Sequence, residues 1–352
     1  MSKRFLFVAL LLLLTGAGCT STTPSTDTTE SPSSSNTPSE EAKITLSETV
    51  YTSFVINTHD WTEPEESIAT LNRLLDLHEK YDLPIDIYLN DPMVQLYEQE
   101  APDLIERLKD KSYVAISYHL RPPYPYYAGF RESVFDGLSK SELRSRLLDY
   151  EEHAIDLKTG EPTDEPGGYE HLKDLLGYAP IVVAGAADQD PIHKTLASIY
   201  KEKGATFTLR HNVDDTLGSS INGLSLRPEN VEVKVYERKD EISVDALFAE
   251  SFAALPETRP AFLNLKWHEN NFYSSGTGWF GVYFADGADR SITLDPPYDL
   301  SLGYSTQTDK TEAQKQIQWD RYEAVLAYVK ARPETYTVIN AWDLLDLLEQ
   351  TQ

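Results

Sequence analysis

The stretch TSFVINTHDWTEPEESIATLNRLLDLHEKYDLPIDIYL, residues 52–89, decides the fold class. It opens with a β-branched and aromatic run, 52–57, and closes with a similar run, 84–89, and both runs are typical of strands. Between them, Thr62 is the predicted N-cap of a helix that has Pro64 in its first turn. A strand, a helix and a strand at this spacing predict two parallel strands joined by a crossover helix.

The same alternation continues to the end of the chain. Further strands are predicted at 113–117, 180–186, 205–209, 231–237, 261–267 and 337–341, with helical patterns between them. Asp91 and Asp190, each followed by proline, are the predicted caps of two of these helices. Eight strand candidates over about 300 residues predict an α/β fold, a deformed (β/α) barrel of seven or eight strands. No glycine-rich dinucleotide motif follows any of these strands, which argues against a Rossmann fold.

The aromatic segment 272–309 is expected to be an insertion in the barrel. WFGVYF (279–284) and SITL (291–294) flank ADGADR, which predicts an inserted β-hairpin or lid. Long loops at this end of a barrel commonly bind ligands.

The first residues of the chain read as a targeting segment. A short basic start precedes a ten-residue apolar run, 5–14, and the only cysteine, Cys19, follows. This pattern resembles a bacterial lipoprotein signal, and the alternative is an ordinary secretory signal with a chance cysteine. The expected organisation is a signal peptide at 1–18, a lipidated Cys19 with a Ser/Thr/Pro-rich tether at 19–43, and a barrel domain at 44–352. The predicted location is therefore the cell envelope, on the extracytoplasmic side.

The composition limits the classes of molecule that the protein is expected to bind. The chain has 352 residues with 31 Lys and Arg against 57 Asp and Glu, a formal charge of −26. This excess of acidic residues argues against nucleic acid as a partner and against electrostatic binding of a polybasic surface to anionic lipid. Membrane contact is therefore expected only through the lipid anchor. A single cysteine excludes a disulfide framework and a cysteine-based zinc site. The chain is expected to be a monomer.

Polar side chains follow three of the predicted strands where each strand ends. His59 and Asp60 follow the first strand, His119 and Arg121 follow the third, and His268 follows the strand at 261–267. Strand C-termini meet at one face of a barrel, so these residues are expected to share one site. Imidazoles with a carboxylate suit a divalent metal, with zinc expected. Asp60, His119 and His268 are the predicted ligands, with His59 as a substitute.

Other residues are assigned supporting roles. Arg121 is expected to hold an anionic group or a developing oxyanion, and either Glu269 or Asp188 is expected to accept a proton. Candidates for contact with substrate are Trp61, Tyr124, Tyr126, Arg210, His211, Asn270 and Trp279. The alternative for the aromatic residues is packing in the core.

These motifs resemble the polysaccharide deacetylase (NodB-homology) superfamily of deformed barrels. That family ends its first strand with an Asp-Asp pair, a base and a metal ligand, and INTHDW (56–61) has His59 in place of the base and Asp60 in place of the metal ligand. His119 and His268 match further family positions, whereas Pro123 stands where the family has a second histidine. The RPPY motif at 121–124 also resembles a family motif, but it follows His119 directly and not a further strand. The resemblance implies a metal-dependent hydrolase that acts on an acyl or related bond of a carbohydrate.

Two other functions remain open from the sequence. A metal-free glycoside hydrolase needs two carboxylates facing one bond, and Glu269 with Asp188 or Asp60 are the candidates. A non-catalytic glycan-binding lipoprotein needs neither a metal nor a carboxylate pair. The distances between the strand ends distinguish these possibilities.

Overall fold

The structure, a computed structural model, describes residues 49–237, 242–306 and 309–351. Contacts divide the chain after Lys43, and all of these residues belong to the second unit, Ile44–Gln352. The predicted signal peptide, Cys19 and the whole tether at 19–43 lie outside the described residues, so they stay predictions. No helix in the described ranges is long and apolar enough to cross a membrane.

A parallel sheet forms the centre of the fold. The strands are β1 Val50–Asn57, β2 Ile85–Leu89, β3 Val114–Tyr118, β4 His153–Ile155, β5 Pro162–Pro166, β6 Val182–Ala184, β7 Phe207–Leu209, β8 Ser220–Ile221, β9 Leu224–Leu226, β10 Val231–Lys234, β11 Ala261–His268 and β12 Tyr336–Val338. Their order is β10-β11-β1-β2-β3-β6-β7-β9-β8, β12 pairs with β1, and β4 and β5 form a separate two-stranded sheet. All pairs from β10 to β9 are parallel, and β8 is antiparallel to β9. All eight predicted strands are present, with shifted ends.

The sheet is curled, so strands far apart in its order face one interior. Arg227, just after β9, donates to Asp86 of β2 at 2.7 Å and to Asn264 of β11 at 3.4 Å. It also donates to the hydroxyl of Tyr88. β9 and β10 are not paired with each other within the described residues. The predicted (β/α) barrel class is confirmed, as a curled half-barrel in which the eight neighbouring strands from β10 to β9 are parallel.

The two faces of the sheet bury different apolar sets. On β1, Phe54 and Ile56 belong to the larger apolar cluster, which includes residues of the flanking helices. Tyr51 and Val55 belong to the smaller cluster, which includes residues of β2 and β7. Successive strand residues point to opposite faces, and a strand covered on both faces reads as an unbroken apolar run. All eight residues of β1 are buried, as expected for a central strand of an α/β fold.

Helices cover the outside of the sheet. They are α1 Pro64–Tyr81, α2 Asp91–Glu100, α3 Pro102–Leu108, α4 Lys140–Glu152, α5 Gly168–Leu176, α6 Pro191–Lys203, α7 Val244–Ala254, α8 Trp279–Tyr283, α9 Ser301–Thr306, α10 Glu312–Lys330 and α11 Ala341–Glu349. Asp190 caps α6 as predicted, accepting from the N–H of Ile192 at 2.8 Å.

Two predicted caps serve other purposes. Glu63 rather than Thr62 is the N-cap of α1, because the Thr62 hydroxyl donates to the Asp60 carboxylate at 2.6 Å. Asn90 rather than Asp91 caps α2, since Asp91 accepts from the N–H of Gly168 at 2.9 Å instead. In both cases a nearby loop offers the side chain a partner that the local sequence does not reveal.

The predicted hairpin at 272–309 is wrong in its secondary structure. Helix α8 occupies most of WFGVYF, and a single antiparallel bridge joins Phe284 to Thr293. Trp279 and Tyr283 are buried against neighbouring aromatic rings, so helical packing of this face outweighs the strand propensity of the run.

Candidate functional site

Two cavities open at the C-terminal ends of the strands. The first, which we call the His59 cavity, has a volume of about 390 Å³, and its lining includes His59, Arg121, Lys234, His268, Trp279 and Arg290. The second, the His119 cavity, has a volume of about 280 Å³, and its lining includes His119, Asp188, Arg210, His211, Glu229 and Lys266. The residues predicted to share one site are therefore divided between two cavities.

Glu269 fastens the loop after β1 to the end of β11. Its Oε1 accepts the backbone N–H of His59 at 2.8 Å and that of Asp60 at 2.6 Å. The side chain is completely buried and lines neither cavity. Glu269 therefore positions His59 and has no direct access to a ligand in the cavity.

The Glu269 carboxyl is protonated at neutral pH. Burial, with a smaller contribution from the nearby charge of Asp60, raises its pKa from 4.5 to about 8. Its Oε2 is buried and has no hydrogen-bond partner in the described part of the chain. A neutral carboxyl avoids the large cost of an isolated buried charge.

Asp60 is occupied by protein donors. Its Oδ1 accepts from the Thr62 hydroxyl at 2.6 Å, and its Oδ2 accepts from the N–H of Gly278 at 3.3 Å. A Cβ at Gly278 would lie 2.1 Å from Thr62 Oγ1, so this close approach requires glycine. Burial raises the pKa of Asp60. Asp60 thus holds the segment before α8 against the loop after β1.

The ring of His59 has a defined tautomer. The indole Nε1–H of Trp279 donates to His59 Nδ1 at 3.2 Å. Because an indole nitrogen only donates, His59 Nδ1 carries the lone pair and the hydrogen of the neutral ring lies on Nε2. That Nε2 is buried and has no partner among the described residues. His59 therefore offers an N–H donor.

His119 is held in the same way by a different donor. Arg121 Nη1 donates to His119 Nδ1 at 3.1 Å, and a guanidinium also only donates. The hydrogen of His119 therefore also lies on Nε2. The Nδ1 lone pairs of both His59 and His119 are used within the protein.

The third imidazole lies beside the first. The ring centroids of His59 and His268 are 4.7 Å apart, and Tyr236 lies 5.1 Å from His268 on another side. Burial lowers the pKa of His59, His119 and His268 well below 6.5, and the positive charge of Arg121 lowers each further. All three rings are neutral at physiological pH.

The predicted metal ligands do not fit a shared ion in this arrangement. Asp60 and two of the histidines are engaged by protein donors, and His119 lines the other cavity. Within the described ranges, only the trio His211, Glu229 and Glu232 places its ligand atoms within 4.8 Å of one another. This trio was not predicted as a metal site.

The trio also works as an ion-pair network. His211 Nδ1 lies 2.8 Å from Glu229 Oε1 and 3.4 Å from Glu232 Oε2, and Lys266 Nζ lies 2.9 Å from Glu232. The hydrogen bond to Glu229 raises the pKa of His211, which favours the imidazolium form. A bound cation would therefore have to displace a proton and compete with Lys266.

The remaining predicted residues fall into three groups. Asn270 and Trp279 line the His59 cavity, and Asp188, Arg210 and His211 line the His119 cavity. Trp61, Tyr124 and Tyr126 are buried and line neither cavity. The structure thus places these three in the core, as the packing alternative expects. Tyr126 instead donates to the buried Glu151 at 2.5 Å.

The strand pair β8–β9 was not predicted from the sequence, and neither was a role for the residues that follow it. Arg227 and Glu229 enter the His119 cavity from this segment. A signal was present, because Asn222-Gly223 lies between two short apolar runs, and both residues have positive φ. Such a pair is the strongest local indication of a two-residue hairpin turn.

Comparisons with known proteins give distant likenesses. No protein-family model matches the chain, and no curated protein matches it. A 4-alpha-glucanotransferase from Thermococcus litoralis has a TM-score of 0.49 at 12% identity, over 85% of this chain and 40% of that one. A putative polysaccharide deacetylase from Mycobacterium smegmatis has 0.45 at 11%, over 86% and 92%, and a peptidoglycan deacetylase from Bacillus subtilis has 0.38 at 12%, over 86% and 93%. This chain thus spans less than half of the glucanotransferase, and the strand order, not these likenesses, establishes the fold class.

Proposed function

We propose that this protein is a deacetylase-like barrel that binds a carbohydrate of the cell envelope in the His59 cavity. The observation that carries the proposal is the state of the histidines. Trp279 and Arg121 donate to the Nδ1 atoms of His59 and His119, so the site offers hydrogen-bond donors where a metal centre needs lone pairs. No role in metal-dependent catalysis is proposed for these residues.

The lining of the His59 cavity suits a sugar. Tyr127, Tyr236 and Phe280 are partly exposed and provide aromatic faces, and amide and hydroxyl groups of neighbouring residues provide polar contacts. A volume of about 390 Å³ lies within the usual range of about 300–1,000 Å³ for small-molecule sites. The lipid anchor at Cys19 and the tether at 19–43 belong to the same proposal, because they would keep a monomeric barrel near envelope glycans.

A second candidate function is a metal-dependent hydrolase acting on an acyl bond of a carbohydrate. The trio His211, Glu229 and Glu232 favours it, since two carboxylates and an imidazole form a ligand set that zinc accepts. Zinc bound there would supply an activated water at neutral pH. The third possibility, a glycosidase using Glu269 with Asp188 or Asp60, has less support. Glu269 and Asp60 line neither of the two cavities, and Asp188 lines only the His119 cavity.

Glycan-array binding of the purified protein, followed by calorimetry with the best glycan, tests the main proposal. Trp279→Ala should abolish binding, because it removes a buried ring that shapes the cavity and the donor that orients His59. Trp342→Ala is the matched control, since Trp342 packs against Tyr178 at 4.9 Å and lines neither cavity. Absence of binding to any glycan, or equal binding by both variants, would refute the proposal.

Metal analysis of the same protein distinguishes the second candidate. One equivalent of zinc that is lost in Glu229→Gln and retained in His119→Ala would support a site at the trio. Loss of the zinc in His119→Ala instead would support the ligand set expected from the sequence. The main proposal expects no zinc at either site.

A further inference from the structure

The His59 cavity has an unusual charge for this protein. The chain carries a formal charge of −26. Arg121, Lys234 and Arg290 nevertheless line this cavity, and no Asp or Glu does so among the described lining residues. A cavity with positive lining in an acidic protein focuses a positive potential on whatever enters it.

Arg121 is the most informative of these cations. Its side chain is buried, with 7% of its surface exposed. Its Nη1 donates to His119 Nδ1 at 3.1 Å and to the carbonyl of Leu120 at 2.9 Å. No carboxylate lies within 4.0 Å of its guanidinium in the described part of the chain, unlike the buried Arg227, which pairs with Asp86 at 2.7 Å. A buried guanidinium without a counter-charge is costly unless a ligand supplies one.

The protein itself supplies little negative charge at this point. Glu269 is the one carboxyl among the main electrostatic influences on Arg121. It forms no ion pair with Arg121, and its Oε1 instead accepts from the backbone N–H groups of His59 and Asp60. Arg121 therefore keeps its Nε and Nη2 hydrogens without a carboxylate acceptor.

Two further donors lie around the same space. Arg290 is exposed, donates to the Tyr127 hydroxyl at 3.2 Å, and likewise has no carboxylate within 4.0 Å in the described ranges. The Nε2–H of His59 is buried and unpartnered among the described residues. Donors from two arginines and an imidazole beside the partly exposed rings of Tyr236 and Phe280 match a ligand with a negative group attached to a ring with apolar faces.

We propose that the ligand of the His59 cavity is an anionic sugar, whose carboxylate or phosphate is bound by Arg121 with Arg290 and His59 as further donors. This inference rests on the proposed function and specifies the class of carbohydrate. Carboxylate and phosphate share the chemistry that the cavity recognises, so the experiment separates them.

Calorimetry with the purified protein uses two pairs of probes. Trigalacturonic acid is compared with neutral galactotriose, and glucose 6-phosphate is compared with glucose. The anionic member of at least one pair should bind at least about tenfold more tightly than its neutral counterpart, which is what one charge-assisted hydrogen bond contributes. The probe that binds identifies a carboxylate or a phosphate as the group recognised.

Arginine variants locate the bound anion. Arg121→Gln should weaken binding of the anionic probe about tenfold or more. Arg290→Gln changes an exposed position of the same cavity and should also weaken binding of the anionic probe. If circular dichroism shows that Arg121→Gln does not fold, the result for Arg290→Gln tests the inference. Arg144→Gln is the control, because Arg144 pairs with Glu202 at 2.5 Å and lines neither cavity.

The outcomes separate this inference from the function on which it rests. Equal binding of neutral and anionic sugars would overturn the inference and leave carbohydrate binding intact. Anion binding that neither arginine variant weakens would also overturn it, because the anion then lies elsewhere. Failure of every sugar, here and on the array, would overturn both.

Discussion

Replacement of Glu269 by glutamine should change how stability depends on pH. The amide oxygen of the introduced glutamine can still accept both backbone N–H groups, so the position of His59 is kept. The variant, however, cannot ionise. The rise of the Glu269 pKa from 4.5 to about 8 corresponds to about 5 kcal/mol, at about 1.4 kcal/mol for each tenfold change in proton binding.

The sign follows from proton linkage. The folded protein binds this proton more tightly than the unfolded chain does, so its stabilising contribution is complete below pH 4.5. It is lost as the pH rises from 4.5 through about 8, where the buried carboxyl ionises. The unfolding free energy of the wild type relative to Glu269→Gln should therefore fall with rising pH, by up to about 5 kcal/mol in total.

Urea denaturation at pH 5, 7 and 9 measures this difference. Glu106→Gln is the control, since Glu106 is exposed and pairs with Lys109 at 2.9 Å on the surface. Unfolding free energies of the wild type and Glu269→Gln that run parallel from pH 5 to pH 9 would refute the reasoning, because Glu269 would then ionise at its ordinary pKa.

Three other substitutions test the contacts described above. Trp279→Phe removes the donor to His59 Nδ1, so nitrogen NMR should show the ring hydrogen of His59 distributed over both nitrogens; an unchanged spectrum would contradict the assigned tautomer. Arg227→Met leaves Asp86 buried without its partner at 2.7 Å and should cost about 3–5 kcal/mol in urea denaturation, whereas a loss below about 1 kcal/mol would show that the pair is dispensable. Gly278→Ala places a Cβ 2.1 Å from a neighbouring hydroxyl oxygen and should cost about 1–3 kcal/mol in the same assay; a neutral effect would mean that the loop moves freely.

The alternation of strands and helices could be predicted because it follows from the local spacing of apolar residues. The pattern from 52 to 89 predicts β1 and β2 with ends within two residues of those observed, and it predicts the helix α1 between them. Each unit buries one continuous apolar face, and such faces are visible in the sequence without knowledge of the partner. The hairpin predicted within 272–309 is not observed. The spacing of its aromatic residues also suits a helix packed against neighbouring rings, so local spacing did not distinguish the two structures.

The site could be predicted only in part. The strand ends correctly indicated that His59 and His268 lie together, with 4.7 Å between their rings. The sequence does not show what engages a side chain from a distant segment. Trp279 bonds His59 across 220 residues and Gly278 bonds Asp60 across 218, and these contacts decide whether lone pairs are free. Two residues of one strand end, His119 and Arg121, also line different cavities, which strand position alone does not reveal.

The hydrogen bond from Arg121 to His119 lies between the two cavities. Arg121 lines one cavity and His119 lines the other, and Arg121 Nη1 donates to His119 Nδ1 at 3.1 Å. A ligand that broke this hydrogen bond from one cavity would change the hydrogen bonding of a residue that lines the other. If two ligands both depended on this bond, each would change the affinity of the other by the same factor.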